Sequence, residues 1–199
     1  MCYQTKITKK KEKLEEHFNA KLLDLDDFIP KTNFKAFDFP KTPVITNEKP
    51  EQIQLYQWGL IPNWADMDWN RNYTLNARIE TLDQKDSFKD IANNRCLIIV
   101  NGFYEWQHIN NSKIKYEIGF QDSLFALAGL YDQNENIKTY TIVTTKAKGI
   151  MSKIHNTKLR MPFALQSKNE MDSWLNGNPV QPNYNFTTTP ELYQQQTLF

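Results

Sequence analysis

A chain of 199 residues with 24 lysines and arginines against 23 aspartates and glutamates, a net charge of +1, has the size of one domain that buries a core without disulfides or a structural metal. That balance excludes the strongly basic field by which composition alone announces a nucleic-acid binder. Two cysteines, Cys2 and Cys96, with no secretory signal and no long apolar run, predict a reduced, cytoplasmic protein that does not span a membrane; three scattered histidines, His17, His108 and His155, without CxxC or HExxH spacing, predict neither a metal nor a cofactor.

The chain opens with "MCYQTK". A small residue after the initiator permits trimming of Met1, which leaves Cys2 with a free α-amine and a thiol on adjacent carbons, a pair that reacts with aldehydes. The plain alternative is a small residue at a frayed end. In "KITKKKEKLEEHFNAKLLDL", Leu14, Phe18, Leu22 and Leu25 recur at near-helical spacing, which predicts an amphipathic helix with the lysines on its solvated face. "FKAFDFPKTPVIT" and "QIQLYQWGLIP" read as short strands interrupted by prolines. "NWADMDWNRNY" is irregular, "TLNARIET" is extended again, and "QKDSFKDIANN" predicts a short helix.

Cys96 to Val100 is apolar on both faces, as in a strand buried at the middle of a domain. "KIKYEIGF", "SLFALAGLY" and "KTYTIVTT" follow as strands at hairpin-like spacing. In "SKNEMDSWL", Ser167 and Glu170 form a capping box, with Asn176 and Gly177 to end the helix. Strands in succession without regular intervening helices predict an α+β fold, a single domain with a curved, mostly antiparallel β-sheet flanked by helices. The domain spans 1–177, and from Asn178 a polar tail, 178–199, is too poor in apolar residues to make its own core.

Polar residues that interrupt these patterns are the candidates for chemistry. Glu105 lies between Tyr104 and Trp106 after a buried run; lost hydration there raises a carboxyl pKa toward the range useful for proton transfer, unless the side chain turns to water. Asn76 and Arg78 are two apart and share one strand face. Arg78 either clamps a phosphate or carboxylate, or pairs with Glu80 or another surface carboxylate. His155 lies among Lys146, Lys148, Lys153, Lys158 and Arg160, a basic loop stretch where an imidazole stays substantially neutral and exchanges protons.

Taken together, "MC", "WGLIPNW", "LNARIET", "RCLIIVNGFYEW" and "IHNTKLRMP" resemble, in order and spacing, the SOS response-associated peptidase family, whose members shield abasic sites in DNA. The resemblance covers the chain from Cys2 to the helix that begins at Ser167. It implies that Cys2, freed of Met1, captures the ring-opened sugar of an abasic site. The amine attacks the C1′ aldehyde to give a Schiff base and the thiolate closes a five-membered thiazolidine, both nucleophiles on one residue. By the same resemblance Asn76 holds the N-terminal residue and the opened sugar, Arg78 binds a flanking phosphate, Glu105 shuttles protons, and His155 is a second acid/base assisting ring opening or strand scission. Arg160 of the "RMP" signature grips the DNA backbone. Trp64 matches the family's loop tryptophan, which either stacks on an unpaired base or packs into the core; Trp58, Trp69 and Trp106 are read as packing residues. Two departures stand out: Tyr3 and Gln4 replace the glycine and arginine that many members carry after the cysteine, and His155 lies further from "RMP" than usual, with His108 as the alternative.

The chain's last residues, "QQTLF", look like a peptide that docks on the replication sliding clamp, with Gln195 setting the register and Leu198 and Phe199 filling an apolar pocket. The expected function is thus covalent capture of abasic sites in single-stranded DNA by a nucleoid-associated monomer. Two other readings stay open: a thiol protease with Cys2 as nucleophile and His155 as base, including removal of Met1, and a non-covalent single-stranded DNA-binding module.

Overall fold

The computed structural model describes residues 1–23, 28–133 and 137–191; Leu25 of the predicted helix and Gln195, Leu198 and Phe199 of the predicted clamp peptide lie outside them. The elements run β1 (Gln4–Ile7), α1 (Lys11–Phe18), β2 (Lys21–Leu22), β3 (Lys31–Lys35), β4 (Lys41–Thr46), β5 (Lys49–Trp58), β6 (Asn76–Arg78), β7 (Arg95–Val100) and β8 (Gly102–Ile109). They continue with β9 (Ser112–Gly119), β10 (Phe125–Gln133), β11 (Lys138–Lys146), α2 (Met151–Ile154), β12 (Arg160–Pro162), β13 (Ala164–Leu165), α3 (Lys168–Leu175) and β14 (Thr187–Pro190).

Two sheets organise these strands among the described residues: a five-stranded sheet in the order β14-β9-β8-β1-β3, and a larger sheet with the path β12-β11-β10-β7-β4-β5-β2. Alternation along β7 decides the layering. Cys96, Ile98 and Val100 face one apolar cluster with Ile7, Phe103 and Phe125, while Leu97 and Ile99 face a second cluster with Leu14, Met171 and Trp174 under α1 and α3. A strand covered on both faces carries no polar side, as its sequence predicts. The α+β class is borne out, in one domain of mostly antiparallel strands. Parallel pairs also occur: β11 runs parallel to β5 and β6, and β2 to β5.

Local differences from the sequence reading have physical causes. Helix α1 stops at Phe18 because Asn19 takes the left-handed conformation, φ 50°, which asparagine tolerates better than most residues; Leu22 then enters β2 and is buried there. "QKDSFKDIANN" yields only a three-residue 3₁₀ turn, Lys89–Ile91, long enough to bury Phe88 and Ile91 but too short to propagate a helix. Pro43 lies inside β4, just before the pairing with β7 begins at Val44, so its missing N–H breaks no bond of that ladder. The capping box of α3 is complete, with the Ser167 side chain on the Glu170 N–H and the Glu170 carboxylate on the Ser167 N–H. From residue 178 to the last described residue, 191, the chain stays on the domain: Asn183 bridges to Ala164, and β14 adds to the edge of β9. None of the helices among the described residues is long and apolar enough to cross a membrane.

Candidate active site

Pairing of the first strand builds the site. Thr5 lies opposite Phe103 and Lys6 opposite Gly102, so extending this antiparallel register backward lays the first residues of the chain alongside Glu105. Cys2 is fully buried, and its carbonyl accepts a hydrogen bond from Asn76 Nδ2 at 2.9 Å. Asn76 starts β6, which the parallel ladder with β11 holds in place. From a third direction, α2 ends at His155.

These elements converge on the terminal amine of Met1. It lies 3.0 Å from His155 Nε2 and 3.7 Å from Glu105 Oε1, and the two side chains approach each other at 3.8 Å, Nε2 to Oε2. Glu105 and His155 are both buried, 3% and 7% exposed. Burial pushes the Glu105 carboxyl up to about 7, against the pull of the neighbouring amine. Burial also lowers the amine and His155, and the amine's charge depresses His155 further. The Cys2 thiol is pushed up by burial and by the Glu105 charge. Every group here is thereby biased toward its neutral form, the form in which an amine is a nucleophile and a carboxyl is an acid.

The imidazole is held in place by a backbone partner. His155 Nδ1 lies 2.7 Å from the Arg160 carbonyl oxygen and 3.3 Å from the Arg160 N–H, so the Arg160 backbone holds the ring with Nε2 toward the amine. Arg160 is in turn locked from behind. Its guanidinium forks onto Glu80, Nη1 to Oε1 and Nη2 to Oε2, both at 2.9 Å, and Nη2 also donates to the Thr144 carbonyl at 2.7 Å. Burial would raise the Glu80 carboxyl, yet the hydrogen bond and charge of Arg160 hold it low. A further tie comes from Asn156, whose side-chain amide bonds the backbone of His108 on β8, with Nδ2 donating to the carbonyl and Oδ1 accepting from the N–H.

In front of these groups is an open pocket of about 340 Å³ lined by Met1, Tyr3, Glu105, Trp106, His108, Lys113, His155 and Thr157. Two buried acceptors in this region, Asn76 Oδ1 and Glu105 Oε1, have no hydrogen-bond donor. The structure therefore brings Cys2, Asn76, Glu105 and His155 together, with Arg160 supporting His155 from inside the protein rather than from the surface. Arg78 projects exposed from β6, and Glu80, its expected partner, is taken by Arg160. Trp64 is 53% exposed, on a loop outside the pocket, with its ring perpendicular to Trp69 at 5.2 Å; the loop is fixed by Asn63 N–H on buried Asp132 at 2.8 Å. His108 lines the pocket but is not the histidine on the amine. Among the described residues no cluster of His, Cys, Asp and Glu could hold a metal. Sequence reasoning missed Glu80, Asn156, Lys113 and Tyr3 as parts of the site; Glu80 and Arg160 are 80 residues apart, and only folding juxtaposes them.

Known proteins resemble this chain along nearly its whole length. Residues 1–198 match the family described as SOS response associated peptidase (SRAP). The chain belongs to the SRAP family. It is 33% identical over 198 residues to the abasic site processing protein YoqW of Bacillus subtilis, covering 92% of this chain and 84% of that protein. It is 32% identical over 149 residues to the abasic site processing protein HMCES of Gallus gallus, covering 60% of this chain and 44% of that longer protein. A crystal structure of a protein from Bacteroides thetaiotaomicron superposes with a TM-score of 0.84 at 29% identity, covering 95% of this chain and 91% of the other.

Proposed function

We propose that this SRAP protein, once Met1 is removed, captures abasic sites in single-stranded DNA as a covalent thiazolidine on Cys2. The observation that carries this reading is the placement of the chain's amine, 3.0 Å from His155 Nε2 and 3.7 Å from a carboxyl that burial pushes up to about 7. Removal of Met1 leaves the free amine on Cys2, the next residue along the chain from that acid–base pair, with the Asn76 amide already on the Cys2 carbonyl. The relatives named abasic site processing proteins support the substrate class.

Chemistry follows from these groups. The neutral amine adds to the C1′ aldehyde of the opened sugar, and protonated Glu105 donates to the departing hydroxyl as the imine forms and water leaves. An iminium on the carbon adjacent to the one that bears the thiol lowers the cost of the thiolate, which burial alone makes high. Sulfur then adds to the iminium carbon, the thiol proton passes to the Glu105 carboxylate that gave one up when water left, and the five-membered ring closes with a large intramolecular advantage. Asn76 orients Cys2 through its carbonyl, Arg78 and the exposed Trp64 contact flanking phosphate and base without reading sequence, and Arg160 acts by positioning His155. His155 also assists sugar opening and any strand scission, and self-processing of Met1 by Cys2 and His155 belongs to the same proposal. The proposed setting is the cytoplasm, with the protein as a monomer, and docking to the sliding clamp through Gln195, Leu198 and Phe199 rests on sequence alone. A clamp pull-down with and without the last five residues tests it.

A labelled oligonucleotide with one abasic site, mixed with the mature protein and run on a denaturing gel after heating, tests the function. The expected result is a heat-resistant adduct that Cys2→Ala and a retained Met1 abolish. Equal adduct from Cys2→Ala, or none from the mature wild type, overturns the reading; cleavage of peptides without DNA points to a thiol protease instead.

A further inference from the structure

We infer that Tyr3 and Phe37 form a stacking platform for the nucleobase next to the captured sugar, a base-binding subsite at the mouth of the pocket; this rests on the abasic-site reading above. Tyr3 follows the reactive cysteine directly and lines the same pocket as Glu105 and His155. Its ring stacks on that of Phe37, with centroids 5.1 Å apart and planes 29° from parallel. Phe37 is 57% exposed, so the pair is a two-ring surface that begins inside the site and ends in solvent.

A single exposed phenylalanine is ordinary. What distinguishes Phe37 is its rigid coupling to the site. It lies in the 3₁₀ turn Ala36–Asp38, which Phe39 closes in the left-handed conformation at φ 47°. Phe39 is itself covered by the Arg71 guanidinium at 4.3 Å. Ala36 N–H donates to the Tyr3 carbonyl at 2.9 Å, and the β1–β3 ladder pairs Gln4 with Lys35. Both rings are therefore held by backbone bonds on either side of the strand that delivers Cys2, and little conformational freedom remains to be lost when a base stacks.

The ligand chemistry follows from position. A nucleotide whose sugar is bonded to Cys2 has its neighbours one phosphate away on each side, and an unpaired base one step along the strand presents a flat apolar face. Aromatic rings accept any base by its π-face, so this subsite tolerates all sequences while requiring that a base be there. It therefore favours an isolated abasic site with an intact neighbour over a run of consecutive lost bases.

The test couples a base to a ring. Oligonucleotides carry one abasic site flanked by natural bases, or with the 5′ or the 3′ neighbouring base replaced by a baseless propyl spacer, and the protein concentration giving half-maximal adduct is read for wild type and Phe37→Ala. Phe37 is exposed and its removal leaves the core intact. Wild type is expected to need about tenfold more protein when one particular neighbour is lost, and Phe37→Ala to be weakened similarly but to lose less than twofold further on that same spacer. Wild type indifferent to both spacers, or Phe37→Ala as sensitive as wild type, overturns the platform while leaving capture in place. No adduct on any oligonucleotide overturns capture and the platform with it.

Discussion

Asn156 bonds both backbone groups of His108, Nδ2 to the carbonyl at 2.7 Å and Oδ1 from the N–H at 3.1 Å. An amide side chain thus takes the place of a neighbouring strand and ties the residue after His155 to the strand of Glu105. With Nε2 and Oε2 only 3.8 Å apart, a small drift of this loop separates the acid from the base. Asn156→Ala is expected to slow single-turnover adduct formation about tenfold, since misplacements of an ångström cost up to ~100-fold, while the DNA concentration at half-saturation stays within twofold. A change in half-saturation with an unchanged rate would assign Asn156 to DNA contact instead.

Glu105 sets a pH dependence for folding whose sign is fixed. Its carboxyl titrates near 7 in the folded chain against 4.5 unfolded. The folded state therefore binds the extra proton between those values, and its stability advantage, full below about pH 4.5, is lost as pH rises through 7. Glu105→Gln removes that loss. It is expected to be more stable than wild type by roughly 3 kcal/mol at pH 8, with the gap closing below pH 5, in urea melts at both values. The same variant should form adduct ~100-fold or more slowly, the scale of a lost general acid.

Arg78 is exposed and no carboxylate pairs with it among the described residues, since Glu80 holds Arg160. A cation in that state is free for a phosphate. Arg78→Ala is expected to weaken binding of undamaged single-stranded DNA and to reduce the slope of log affinity against log salt by about 0.7, one phosphate's share. An unchanged slope would show that Arg78 contacts no phosphate.

Arg160→Lys keeps the charge but not the fork onto Glu80. A loss of about 1–2 kcal/mol in chemical denaturation is expected, less than for a fully buried pair because Glu80 is partly exposed. Because the Arg160 backbone positions the His155 ring, a shift of this strand should lower the adduct rate as well. The contribution of Glu80, held low by Arg160, is present above pH 4.5 and lost as pH falls through its folded value.

How much of this was legible in the sequence depends on the range over which each signal acts. The buried strand Cys96–Val100 and the Ser167–Glu170 cap are local patterns, and both appear as read. The motifs carrying Cys2, Asn76, Glu105 and His155 were also legible, through resemblance, although their meeting at one amine depends on pairings of β1 with β8 and β6 with β11 that no local pattern shows. Arg160 read as a DNA contact from its motif; its position behind His155, paired with Glu80, is visible only in the fold. Helix α1 fell short of its apolar periodicity because one asparagine in the left-handed region turned Leu22 into a strand.

The most direct measurement is the intact mass of the heat-stable product from mature protein and an oligonucleotide with one abasic site. A mass equal to the protein without Met1 plus the oligonucleotide minus one water, lost in Cys2→Ser, is the predicted result. A product that retains Met1, or an equal yield from Cys2→Ser, would contradict it.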